Sequence, residues 1–119
     1  MIYVKKIITK GKQGSISFCL FGLNEENENS YEIIGRYLKE HLACEVIACS
    51  NFVVDFIVDY KKDDIIFRFI YEEGYEIFEF CSHNRKQEPP EYYEKLEKIV
   101  QELVNVLNRD NHKLNIALK

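Results

Sequence analysis

Three consecutive stretches of alternating polarity, joined by short polar links, constrain this chain more than any other feature. Phe52–Tyr60 (FVVDFIVDY), Ile65–Glu72 (IIFRFIYE) and Tyr75–Cys81 (YEIFEFC) each repeat with a period of two, as strands with one buried face do. Lys61-Lys-Asp-Asp64 and Glu73-Gly74 read as hairpin loops, and a Gly at the second position of a two-residue loop suits a type I′ turn. Pairing Tyr60 with Ile65 sets Val58 against Phe67 and Phe56 against Phe69. Pairing Glu72 with Tyr75 sets Phe69 against Phe78 and Phe67 against Phe80. Both loops then agree on one face, made of Phe52, Val54, Phe56, Val58, Ile65, Phe67, Phe69, Phe78 and Phe80. Paired residues share a face, so this is the expected core.

The opposite face is mixed. It carries Val53, Asp55, Ile57 and Asp59, then Ile66, Arg68, Ile70 and Glu72, then Tyr75, Ile77, Glu79 and Cys81. In that register Arg68 falls opposite Glu79, with Ile57 on its other side and Asp55 and Asp59 on the diagonals. Ile57, Ile66, Ile70, Ile77 and Tyr75 would form an apolar patch among charges, larger than monomers ordinarily leave bare. Three arrangements would account for it: a covering N-terminal hairpin, a dimer, or a docking site with apolar anchors among acids.

The remaining segments complete the architecture. Ile2–Thr9 and Ser15–Gly22 read as strands joined by the turn-like Lys10-Gly-Lys-Gln-Gly14. A helix is expected from a cap at Asn24, Asn29 or Ser30 to about Leu42, with Tyr31, Ile34, Leu38 and Leu42 as its apolar stripe. Gly35 inside it costs roughly 1 kcal/mol against Ala and marks close packing. Cys44–Cys49 is a short strand that joins the next through a bulge near Ser50-Asn51. Pro89-Pro90 opens a second helix with a stripe of Tyr93, Leu96, Val100, Leu103 and Leu107, ending near positions 108–111; the tail after it would fray, dock or add a turn. The expected order is β-β-α-β-β-β-β-α. The fold class is α+β, an antiparallel sheet of about five to six strands with two helices packed on one face, a two-layer sandwich in a single domain over residues 1–119.

Charge and composition bound the function. The chain has 119 residues and a net charge of −4, which disfavours nucleic acid as a partner. Residues 1–14 hold four lysines and no acid, whereas residues 24–80 hold fourteen acids against five bases, a balance of −9. Such a surface is either solvating or complementary to a basic partner. No apolar run approaches the roughly 20 residues that span a bilayer, and MIYVKKIITK lacks the pattern of a signal peptide. No membrane association and a cytoplasmic location are expected.

Catalytic signals are sparse. Cys19, Cys44, Cys49 and Cys81 form no CxxC pair and have apolar neighbours, so buried free thiols in a reducing compartment are expected, with no structural metal. His41, His83 and His112 are scattered, and His41 in a last helical turn suits the helix dipole. Cys81 and His83, two apart, are the one nucleophile–base candidate, and would have to meet in a cleft. Asp55 and Asp59 lie about 13 Å apart by strand rise, long for two carboxylates acting on one bond. Gly11 and Gly14 with lysines lack the spacing of a phosphate loop. The expectation is no enzyme, no cofactor and no metal.

A small acidic α+β chain with the acid-rich 24–80 block and the strand set FVVDFIVDYKKDDIIFRFIYEEGYEIFEF between two helices resembles bacterial immunity proteins, in particular those of contact-dependent growth inhibition. The resemblance implies a noncatalytic inhibitor that binds and neutralises a cognate toxin domain, commonly a basic nuclease whose cleft an acidic protein blocks. On that reading Asp55, Asp59, Glu72 and Glu79 are the charge contacts, and Ile70 and Tyr75 the anchors. The alternative is a small acidic secretion-chaperone-like or adaptor protein that binds a polypeptide segment, as a dimer in some arrangements.

Overall fold

A computed structural model describes residues 2–9, 15–22, 30–51, 55–72, 77–83 and 87–114. The elements follow the expected order: β1 (Tyr3–Thr9), β2 (Ser15–Phe21), α1 (Ser30–Glu40), β3 (Glu45–Asn51), β4 (Asp55–Lys62), β5 (Ile65–Glu72), β6 (Ile77–Ser82) and α2 (Pro90–Leu114). All neighbouring strands are antiparallel, in the order β1-β2-β6-β5-β4-β3. The helices pack on one face, which makes the α+β two-layer sandwich.

The core forms where the two periodicities meet. Phe18 and Leu20 of β2, Phe67 and Phe69 of β5, and Phe78 and Phe80 of β6 turn toward the helices. Ile34 and Leu38 of α1 and Leu96, Val100, Leu103 and Leu107 of α2 turn toward the sheet, and all of these are buried. Each such side chain contributes about 1.5–3 kcal/mol by leaving water. The Phe69 and Phe80 rings stack at 4.9 Å, within the range where aromatic pairs add to simple burial. Burial also pushes the Tyr92 hydroxyl upward in pKa, and that hydroxyl donates to the Ile66 carbonyl, fastening the first turn of α2 to β5.

Both hairpin registers differ from expectation by two residues. Tyr60 pairs with Phe67 and Val58 with Phe69. Phe69 pairs with Phe80 and Phe67 with Ser82. A shift of two preserves parity, so the core face keeps its residues and only the cross-strand partners change. The cause is turn chemistry. β4 continues through Lys61 and Lys62, and the turn narrows to Asp63-Asp64, with Asp63 in the left-handed region at φ 55°, a conformation Asp tolerates. Strand pairing on the other side ends at Glu72↔Ile77, and the expected Gly74 turn lies outside the described residues, as do Phe52, Val53 and Val54.

Other boundaries are also corrected. The bulge is at Val46/Ala48 and not at Ser50-Asn51, on the edge strand, where bulges disturb further pairing. Ser30 opens α1, but its hydroxyl is buried without a hydrogen-bond partner, so it does not cap; Asn24 and Asn29 lie outside the described residues. α1 ends through Ala43 at φ 57°, with the Cys44 N–H donating to the Leu38 carbonyl at 2.8 Å. α2 reaches Leu114, and the segment after it lies outside the described residues. The β1–β2 hairpin extends the sheet beside β6 and does not lie over the mixed face.

Candidate functional site

The mixed face is the one turned away from the helices. Across β4, β5 and β6 its rows are Asp55–Glu72–Ile77, then Ile57–Ile70–Glu79, then Asp59–Arg68–Cys81. The middle row continues through Cys19 of β2 to Lys5 of β1.

The new register changes the partner of Arg68. It stands opposite Asp59 and Cys81, not Glu79. Its Nε donates to Asp59 Oδ1 at 2.8 Å and its Nη2 to Oδ2 at 3.3 Å. This is the fork geometry that suits guanidinium and carboxylate. Hydrogen bonding to Asp59 raises the Arg68 pKa further, so the guanidinium stays charged. Asp59 is therefore compensated within the sheet. Glu79 is half-buried between Ile70 and Cys19. Asp55 and Glu72 are register partners at the end of the ladder, and their side chains lie outside the description. Tyr75 lies outside the described residues.

The expected apolar patch is smaller than the sequence suggested. Ile70 is 1% exposed, so in this conformation it offers almost no area to a partner. Ile57 and Ile66 are half-buried. Large exposed apolar residues instead concentrate at the sheet edges: Tyr3, Ile7 and Ile8 on β1, and Val46 and Ile47 on β3. On β1 and β2 the rings of Tyr3 and Phe21 stack at 5.7 Å, with Lys5 Nζ 5.2 Å from the Phe21 centroid.

The cysteines divide unevenly. Cys19, Cys44 and Cys81 are buried, as expected, whereas Cys49 is exposed on the edge strand. Burial pushes the Cys44 thiol up to about 11, which suppresses its thiolate. His83 Nδ1 is buried and has no hydrogen-bond partner, so it makes no bond to the Cys81 sulfur. Among the described residues no group of three or more His, Cys, Asp or Glu is placed to hold a metal ion. No helix among them is long and apolar enough to cross a membrane.

Two features escaped the sequence reading. One is an acidic ridge on α2, where Glu91, Glu94 and Glu97 are all exposed; their spacing of three was the available signal. The other is a cleft between α1 and the sheet, announced only by Gly35. Compared with family models, characterised proteins and solved structures, the chain matches none.

Proposed function

We propose that this is a noncatalytic immunity protein, acting in the cytoplasm, that binds and neutralises a cognate toxin domain of basic, nuclease-like character through an acidic surface. The observation that supports this reading is the unequal compensation of acids on the mixed face. Arg68 is engaged by Asp59. Among the described residues no Lys or Arg occupies a register position next to Asp55, Glu72 or Glu79. Like charges directly opposed in a ladder oppose folding, and Asp55 and Glu72 are such partners. A cationic surface docked there would relieve that repulsion and be steered to it. Asp55, Glu72 and Glu79 are the charge contacts on this account; Asp59 is held by Arg68 and orients the strand pair, Ile70 is buried and drops out as an anchor, and Tyr75 supplies the apolar part of the contact.

One observation favours the adaptor reading. β1 is an edge strand whose Tyr3, Ile7 and Ile8 are exposed, and an extended segment would add to such an edge by strand pairing. Replacing Asp55 and Glu79 together by Lys separates the two. The immunity reading expects toxin affinity to fall at least about tenfold and its salt dependence to flatten. Unchanged affinity and salt dependence would remove the acidic face from the account.

A further inference from the structure

The two edges of the sheet are not alike. β3 is interrupted by the register shift at Val46/Ala48, and a bulge turns an edge away from further pairing. β1 has no such break. It pairs with β2 in one continuous register from Tyr3↔Phe21 to Thr9↔Ser15, and Tyr3, Lys5, Lys6, Ile7 and Ile8 are all exposed along it. A regular, exposed edge of this kind is a template for another strand.

Charge decides which strand fits. Lys5 shares the mixed face with Tyr3 and Ile7, and its Nζ stands 5.2 Å from the Phe21 centroid and 5.9 Å from that of Tyr3. Lys6 pairs with the core residue Phe18 and so belongs to the helix side, where it lines a hollow with Glu88, Glu94 and Glu97. The helix side of this edge is therefore net acidic, whereas the mixed face presents one cation between two apolar residues. A second copy suits the edge poorly. Two β1 strands in one ladder would bring Lys5 and Lys6 of both chains together, and like charges across a ladder oppose pairing.

We propose that β1 receives an extended segment of another polypeptide, paired antiparallel, with one acidic side chain opposite Lys5 and apolar side chains two residues to either side of it, against Tyr3 and Ile7. The inference rests on the strand-addition reading and supplies its selectivity; it does not involve the acidic face.

Amide chemical-shift titration of the full chain with three capped peptides of about seven residues tests it. Each alternates threonine with valine, and the central valine is replaced by glutamate, glutamine or lysine. Saturable shifts along Tyr3–Ile8 are expected, with the glutamate peptide bound roughly two- to tenfold more tightly than the lysine peptide and the glutamine peptide between them. The net charge of −4 would by itself favour lysine, so this order reports the local contact. In Lys5→Gln, a change at an exposed position, the preference for glutamate should vanish. Equal binding of all three peptides, or tightest binding of the lysine peptide, would leave strand addition standing and overturn the acidic partner. No saturable shift at β1 with any peptide would overturn both. Shifts at β1 that follow protein concentration alone would give the edge to a second copy and equally overturn the proposal.

Discussion

Asp59 and Arg68 face each other across β4 and β5, and the guanidinium grips both carboxylate oxygens at 2.8 and 3.3 Å. The side chains are only 13% and 25% exposed respectively, so the pair is shielded more than an ordinary surface ion pair. A double-mutant cycle of Asp59→Asn and Arg68→Gln, read by urea denaturation, should give a coupling of about 1–2 kcal/mol, above the 0.2–1 kcal/mol typical of exposed pairs. A coupling near zero would mean that the fork contributes only geometry.

The same pair shows what the sequence could and could not convey. Alternation assigned Asp59 and Arg68 to one face, because side-chain direction has a period of two. It could not make them partners, because a register slipped by two satisfies the same alternation. The choice fell to the turn, where Asp63 adopts a left-handed conformation and β4 runs on through two lysines. Stripes of period 3.6 placed Leu38, Leu96 and Leu103 in the core correctly. The fate of Ile70 was not legible: on a mixed face, burial depends on what the whole chain brings near, and alternation carries no such information. Gly35 did signal close packing, but that it stands beside the hydroxyl of Tyr60 is a long-range fact.

Asn108 closes the fold by holding the first strand to the last helix. Its Nδ2 donates to the Ile2 carbonyl at 2.8 Å, and its Oδ1 accepts from the Ile2 N–H at 2.9 Å. Asn108→Ala should remove both bonds and leave two backbone groups of a buried residue unpaired, costing about 1–3 kcal/mol. Asn108→Asp keeps the acceptor for the Ile2 N–H but turns a carboxylate oxygen toward the Ile2 carbonyl, so it should not restore the clasp. Hydrogen exchange at the Ile2 amide should quicken in the Ala variant well before exchange at Phe69. Equal quickening at both amides would show that global stability, and not this local clasp, is at stake.

Stability should fall in alkali through a buried thiol. Burial raises Cys44 from 9.0 to about 11. A raised pKa means that the folded state keeps its proton while the unfolded state loses it. The contribution is fully present below pH 9 and is lost as the pH rises toward 11, on the order of 2 kcal/mol. Tyr60, raised from 10.0 to about 12, adds a second loss at still higher pH. Urea melts from pH 7 to 11 should therefore slope downward, and Cys44→Ala, though less stable at pH 7, should flatten the portion between pH 9 and 11. An unaltered slope in that variant would assign the alkaline loss to other groups.

The most direct test of the central claim is co-expression of this protein with the polypeptide encoded immediately upstream of it, followed by size-exclusion chromatography and an assay of nucleic-acid cleavage. The immunity reading predicts a stable 1:1 complex in which cleavage is silenced, with activity recovered when the two chains are separated. A protein that elutes alone as a dimer, beside a polypeptide whose activity is unchanged, would contradict it and favour an adaptor that uses the β1 edge.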